Sequence, residues 1–181
     1  LSEAAIRAAP VYPAEKDTAF RKGSAITTMA TDPQTLRNLK VLGLVWGYLK
    51  FYHPGVAEGN YNWANNLFRV MPAIAAAKSD GERDELLVRF IKELGPREVG
   101  NKVQILSKGD SIIQEVDTSW FEKYGISGPL TDQLNGVYKA RPAPGHYYYS
   151  FDHSMNVVFP HDKEYADMSS GDIGLRLLAL F

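Results

Sequence analysis

PQTLRNLKVLGLVWGYLKFYHPGVAEGNYNWANNLFRVMPAIAAAKSDGERDELLVRFIKELG, residues 33–95, decides the fold class. Thr31 or Asp32 caps a helix whose first turn holds Pro33, where a missing N–H costs nothing. Leu36, Leu39, Leu42, Trp46 and Leu49 form one stripe at helical spacing, with Val41, Val45, Tyr48 and Tyr52 beside it. A helix apolar over most of its circumference is a buried one, and Pro54-Gly55 stops it. Asn62 is placed to cap a second helix with Trp63, Leu67, Val70, Met71 and Ile74 on one face. Pro72 predicts a kink there, because its ring removes a hydrogen bond. Ser79 and Glu82 form an S-x-x-E capping box that opens a third helix. Its face is Leu86, Leu87, Phe90, Ile91 and Leu94, and Gly95-Pro96 ends it.

Three apolar-faced helices joined by short turns predict a helical bundle or stacked helical hairpins over 33–96. Outward from it, 1–32 reads as an extended lead segment, with one strand around Ala25 to Met29. The 97–170 stretch reads as short helices and strands packed on the bundle. In it, KVQIL and SIIQEV suggest a hairpin, and Trp120–Tyr124 and Leu130–Lys139 two helices. HYYYSFD and NVVFP suit a pleated surface better than a helix, which would set Tyr148 opposite Tyr147 and Tyr149. The sum is mostly α with a small β element, α+β overall. The final GDIGLRLLALF, 171–181, reads as the start of a truncated helix leading into a missing downstream domain. Its residues 174–181 align without a gap with 38–45, as a repeat would and as apolar helices often do by chance.

The chain has 181 residues, with 20 Lys plus Arg against 21 Asp plus Glu, and the net charge of −1 offers no electrostatic footprint for nucleic acid. With no cysteine it can build neither a disulfide, a thiolate zinc site nor a cysteine nucleophile. The longest apolar run, Val41 to Leu49, is far short of the roughly 20 residues that span a bilayer. There is no G-x-S-x-G elbow and no Gly-rich phosphate fingerprint, so neither a catalytic residue nor a cofactor is assigned.

The remaining candidates are weak individually. His146, His153 and His161, with Asp152 and Asp162, carry metal-ligating chemistry but match no ligand spacing, and loop or strand-edge residues are the default reading. Asp110, Glu115 and Asp117 are near enough in sequence to consider as paired carboxylates, although acids in a turn are usually solvated. His53, at a helix end, is read first as a dipole partner and second as a ligand. Aromatics at helical spacing are usually core, but those with polar tips can line a peptide or carbohydrate groove. Tyr48, Tyr52, His53, Tyr61 and Tyr148 are therefore the candidate binding residues.

Taken in order, several pieces resemble one signature. Val45-Trp46-Gly47 leads to Lys50-Phe51-Tyr52-His53-Pro54, then Tyr61-x-Trp63, then Glu82-Arg83-Asp84-Glu85-Leu86-Leu87. His146-Tyr147-Tyr148 and Gly174-Leu175-Arg176-Leu177-Leu178-Ala179-Leu180 follow. The chain from about Asp17 resembles the N-terminal region of multi-domain bacterial tail-specific (C-terminal-processing, tricorn-like) serine peptidases. The resemblance implies an extracytoplasmic protein whose Ser/Lys catalytic domain lies downstream and acts on peptide or protein substrates. No residue here matches that Ser or Lys, so the implied role is scaffolding, gating or substrate presentation. The alternative is a stand-alone peptide- or carbohydrate-binding module with an aromatic groove.

Overall fold

The computed structural model describes residues 11–95, 116–142, 146–154, 156–162 and 171–181. It is mostly helical with a small β element. The helices are α1 (Pro13–Lys16), α2 (Pro33–Tyr52), α3 (Pro54–Ala57), α4 (Trp63–Ala75), α5 (Asp80–Glu93), α6 (Ser119–Lys123), α7 (Gly128–Lys139) and α8 (Ile173–Leu178). Two two-residue strands, β1 (Ser150–Phe151) and β2 (Val157–Val158), pair antiparallel with Ser150 opposite Val158. The KVQIL/SIIQEV hairpin lies outside the described residues, apart from Val116. No helix of the described residues is long and apolar enough to cross a membrane.

Helix α2 is the axis of the bundle. Asp32, rather than Thr31, caps it, accepting from the Gln34 and Thr35 N–H groups at 3.0 and 3.1 Å. Val41, Leu42, Val45 and Leu49 are fully buried, as a helix apolar on most sides requires. Helix α4 packs along it, α5 packs on α4, and α7 closes the core with Leu130, Leu134 and Val137. Asn62, Ser79 and Ser127 cap α4, α5 and α7 through side-chain oxygens. Pro72 sits inside α4 on its exposed side, where the ring faces solvent and the helix continues to Ala75.

Two arrangements hold the helices in register. Trp46 and Trp63 stack at 5.9 Å with 14° between their planes. Each donates its indole N–H to the other's backbone carbonyl, at 3.1 and 3.2 Å. Phe90 of α5 stacks on the far side of Trp63 at 5.9 Å. The second arrangement is polar and lies nearer the start of α2. Arg83, with none of its side chain exposed, pairs with Asp84 and with Asp80, both at 2.7 Å. Asp84 also accepts the Ser127 N–H at 2.7 Å, and Asp80 meets Gln34 and Arg37 of α2. Burial opposes the charge of Asp80, but Gln34, Arg83 and Arg37 together hold its carboxyl below the usual value.

The flanks depart from the sequence reading in two places, residues 25–29 and the 146–149 aromatics. Residues 25–29 form no strand; instead Ile26 gives its carbonyl to the N–H of Ile173 at 2.8 Å. Ser24 donates its hydroxyl to Asp172, the residue that caps α8, so the lead segment is latched to 171–181. Tyr147 and Tyr148 do not alternate across a strand: both lie in a bend before β1 and both are buried. There the Tyr147 N–H is taken by the Ala57 carbonyl rather than by a neighbouring strand. Helix α8 ends at Leu178, and Phe181 turns back so closely onto Gly43 that a Cβ there would stand 2.6 Å from its ring.

Trp63→Ala should cost about 3–5 kcal/mol, since it removes a fully buried indole held on both faces. Urea denaturation measures it, and a loss below about 1 kcal/mol would mean the site collapses around the gap. Asp84→Ala should cost a similar ~3–5 kcal/mol by stranding the buried Arg83 charge. A much smaller loss would show that Asp80 alone satisfies the guanidinium.

Candidate functional site

The stretch of α2 after Lys40 is uniformly apolar except for Lys50, and that exception marks the site. A cavity of about 880 Å³ opens beside it, between α2, the start of α4, the 147–162 segment and the end of the described chain. Trp46, Trp63 and Tyr148 form the inner wall, Leu175 and Phe181 the far wall, and Phe159 the rim. Gly47 faces the open space: a Cβ built there meets nothing within 4 Å. Local sequence explains the opening, because Gly43 and Gly47 strip one face of α2, where the Phe181 ring covers Gly43 and nothing covers Gly47.

Lys50 is 8% exposed. Its ammonium sits 5.3 Å from the Trp46 ring centre, 5.9 Å from Tyr148 and 5.0 Å from Phe159. Such ring faces carry negative quadrupole density and favour a cation. Its ionic partner is Asp162, at 2.7 Å, whose side chain is 43% exposed on the strap that follows β2. The strap is pinned a second time by His161, which stacks on Tyr147 at 3.9 Å and donates from Nδ1 to the Tyr147 carbonyl at 2.6 Å. On the α1 side, Glu15 accepts from the Tyr147 hydroxyl at 3.4 Å, and burial together with this carboxylate pushes that phenol up to about 12.

The five candidate binding residues do not share one groove. Tyr148 is buried on the cavity wall, accepts the Trp63 N–H at 2.9 Å and donates to the Tyr61 carbonyl. Burial is what raises its pKa. Tyr61 is half-buried behind it and donates its hydroxyl to the Leu94 carbonyl at 2.7 Å. Tyr48 and Tyr52 do not line the cavity. Tyr48 is buried with its hydroxyl on the Leu134 carbonyl at 3.3 Å, and Tyr52 meets Tyr138 at 5.3 Å, both against α7. His53 is wholly buried at the α2–α3 junction. Periodicity could not separate these cases, since one apolar helix serves two faces at once. The residues missed as a group were Lys50 and Asp162, and the available signal was a single ammonium in an otherwise apolar run.

The other candidates fall apart in space. Among the described residues no three His, Asp or Glu are grouped as a metal site. His146 packs edge-on to Tyr149 at 4.0 Å, His161 stacks on Tyr147, and His153 lies in an exposed turn. Asp117 is exposed and accepts the Ser119 N–H at 2.9 Å, while Asp110 and Glu115 lie outside the described residues. Ser24 is buried and donates its hydroxyl to the Asp172 carboxylate, in the latch described above.

No family model, curated protein or solved structure matches the chain.

His146 supplies a pH test. Burial disfavours its charged form, a backbone hydrogen bond at Phe51 partly offsets this, and the Lys50 charge adds to it, leaving the imidazole at about 4 against an ordinary 6.5. Between those values the unfolded chain binds more protons than the folded one, so stability falls as pH drops through that window. The aspartates held low by their partners, such as Asp17 beside Arg69, lose their contribution only further down, below their ordinary 3.8. His146→Gln should therefore flatten the profile of urea midpoint against pH between 6.5 and 4. An unchanged slope would assign the effect to another group.

Proposed function

We propose that the chain is the helical, non-catalytic N-terminal region of an extracytoplasmic serine peptidase of the tail-specific type. In this reading acyl transfer belongs to a downstream Ser/Lys domain, and the present region scaffolds it or presents peptide substrate to it. The supporting observation is how the sequence-distant pieces of the signature meet. Trp46, Tyr61, Trp63 and Tyr148 come from three separate pieces and are joined by direct hydrogen bonds. Arg83 and Asp84, from a fourth, are a buried ion pair. A signature built of mutually dependent packing residues suits a structural module better than a reaction centre.

The cavity beside Lys50 favours a second reading, a free-standing binding module, because its volume is in the range of small-ligand sites. Reading the encoding gene beyond the Phe181 codon separates the two. A continuing frame with a nucleophilic Ser and partner Lys is expected, and an immediate stop codon would overturn the peptidase reading. The purified 181-residue chain should neither hydrolyse casein nor take up a fluorophosphonate probe. Serine-directed labelling of this chain would instead place a nucleophile inside it.

A further inference from the structure

A largely buried ammonium must keep an anionic partner, because leaving it alone costs several kcal/mol. For Lys50 that partner could have come from a packed helix, but it comes from Asp162, on an exposed strap that carries little core. The pair is thus exchangeable in a way that Arg83–Asp84, sealed inside the bundle, is not. A second carboxylate reaching Lys50 through the cavity would leave the ammonium as well satisfied and release Asp162 to water. What surrounds that point decides the rest of the ligand. The indole N–H groups of Trp46 and Trp63 are spent on each other's carbonyls, and the Tyr148 hydroxyl is spent on Tyr61 and Trp63. Of the other polar lining groups, Asn62 is held by the Ala14 and Asp17 carbonyls and the Asn65 N–H, and Glu15 by the Tyr147 hydroxyl, so the wall offers chiefly ring surface, which suits an apolar body. A cationic ligand is disfavoured, since the three ring faces and the acid already hold one cation.

We propose that the cavity is a binding site for an apolar molecule ending in a carboxylate, with Asp162 as the chain's own placeholder on Lys50. This goes beyond the peptidase reading and does not depend on it. The shared chemistry fits a fatty acid and the free C-terminus of an apolar peptide alike, and paired probes distinguish them. Decanoate is compared with decan-1-ol, and N-acetyl-leucyl-phenylalanine with its C-terminal amide, by titration of tryptophan fluorescence, since two of the three tryptophans line the cavity.

At least one acid should bind about tenfold or more tightly than its neutral counterpart, and the better pair names the source. Asp162→Asn should tighten binding of that acid about tenfold by removing the competitor. Lys50→Met should abolish the preference for the acid, and Lys50→Arg should retain part of it. Gly47→Leu should block binding altogether. That variant fills open space and replaces a helical glycine with a better helix former, so its fold is not at risk. Thermal melts of each variant accompany the titrations. Equal binding of acid and neutral probe, unaltered by Lys50→Met, would reduce the cavity to an apolar void and overturn the proposal. So would failure of Asp162→Asn to bind either acid at millimolar concentration, or full binding by Gly47→Leu.

Discussion

The reciprocal bonding of Trp46 and Trp63 is the constraint on which the rest of the molecule depends. A buried indole brings a large apolar surface and one N–H donor that must be satisfied. Here each ring uses the other's main-chain carbonyl, so both donors are met only when α2 and α4 are in one axial register. Sliding either helix by a turn would break two hydrogen bonds and a stacking contact together. Trp63 then carries the next layers: Phe90 brings α5 onto its ring, and the Tyr148 hydroxyl accepts its backbone N–H at the open start of α4. That last bond answers an unmet donor which every helix N-terminus possesses. It recruits a segment 85 residues away to do so.

Helix α2 divides its labour along its length. Gln34, Arg37 and Asn38, in its first turns, meet Asp80 and the Ala75 and Ala77 carbonyls. Trp46 and Lys50, roughly 12 to 24 Å further along at 1.5 Å per residue, meet aromatics and the strap. The early network fixes orientation, because ion pairs and amides tolerate few geometries. Its Arg83 is linked through Asp84 to the cap of α7, so polar matching as well as leucine packing places the closing helix. The later part carries the Trp46–Trp63 pair on one side and borders the cavity with Gly47 and Lys50.

Most of the helical core was legible because its signals are local. Pro33, Asn62, Ser79 and Ser127 announce helix starts through backbone chemistry that needs no tertiary partner. The mutual arrangement of side chains was not legible, and the reasons are physical. A helix buried on nearly all sides does not say which face meets α4 and which meets α7, so Tyr48, which packs on α7, could not be told from a residue on the Trp46 face. The 146–149 aromatics suit a strand by propensity, yet Tyr147 and Tyr148 are both drawn inward by tertiary partners, the Ala57 carbonyl and the Trp63 N–H. Ile26 was read as a strand residue for the same reason, whereas its carbonyl serves the first turn of α8. The Ser24–Asp172 latch spans 148 residues, and no periodicity could reveal it.

Two glycines in that later part explain why a void can persist beside a well-buried helix. Filling space beside α2 would require side chains at positions 43 and 47, and both are glycine. Gly43 has given up its side chain to admit the ring of Phe181, a use that a single methyl group would forbid. Gly47 admits nothing, so its missing side chain is simply space. The lost packing carries a cost, because cavity walls forgo dispersion contacts on one side. Lys50 changes the character of that space, for an ammonium at its edge gives a largely apolar hollow one point at which a charged ligand can be told from its neutral analogue. Since the pairing carboxylate stands on the strap and not in the bundle, exchanging it leaves the Trp46–Trp63 register untouched, and the fold and the site can vary independently.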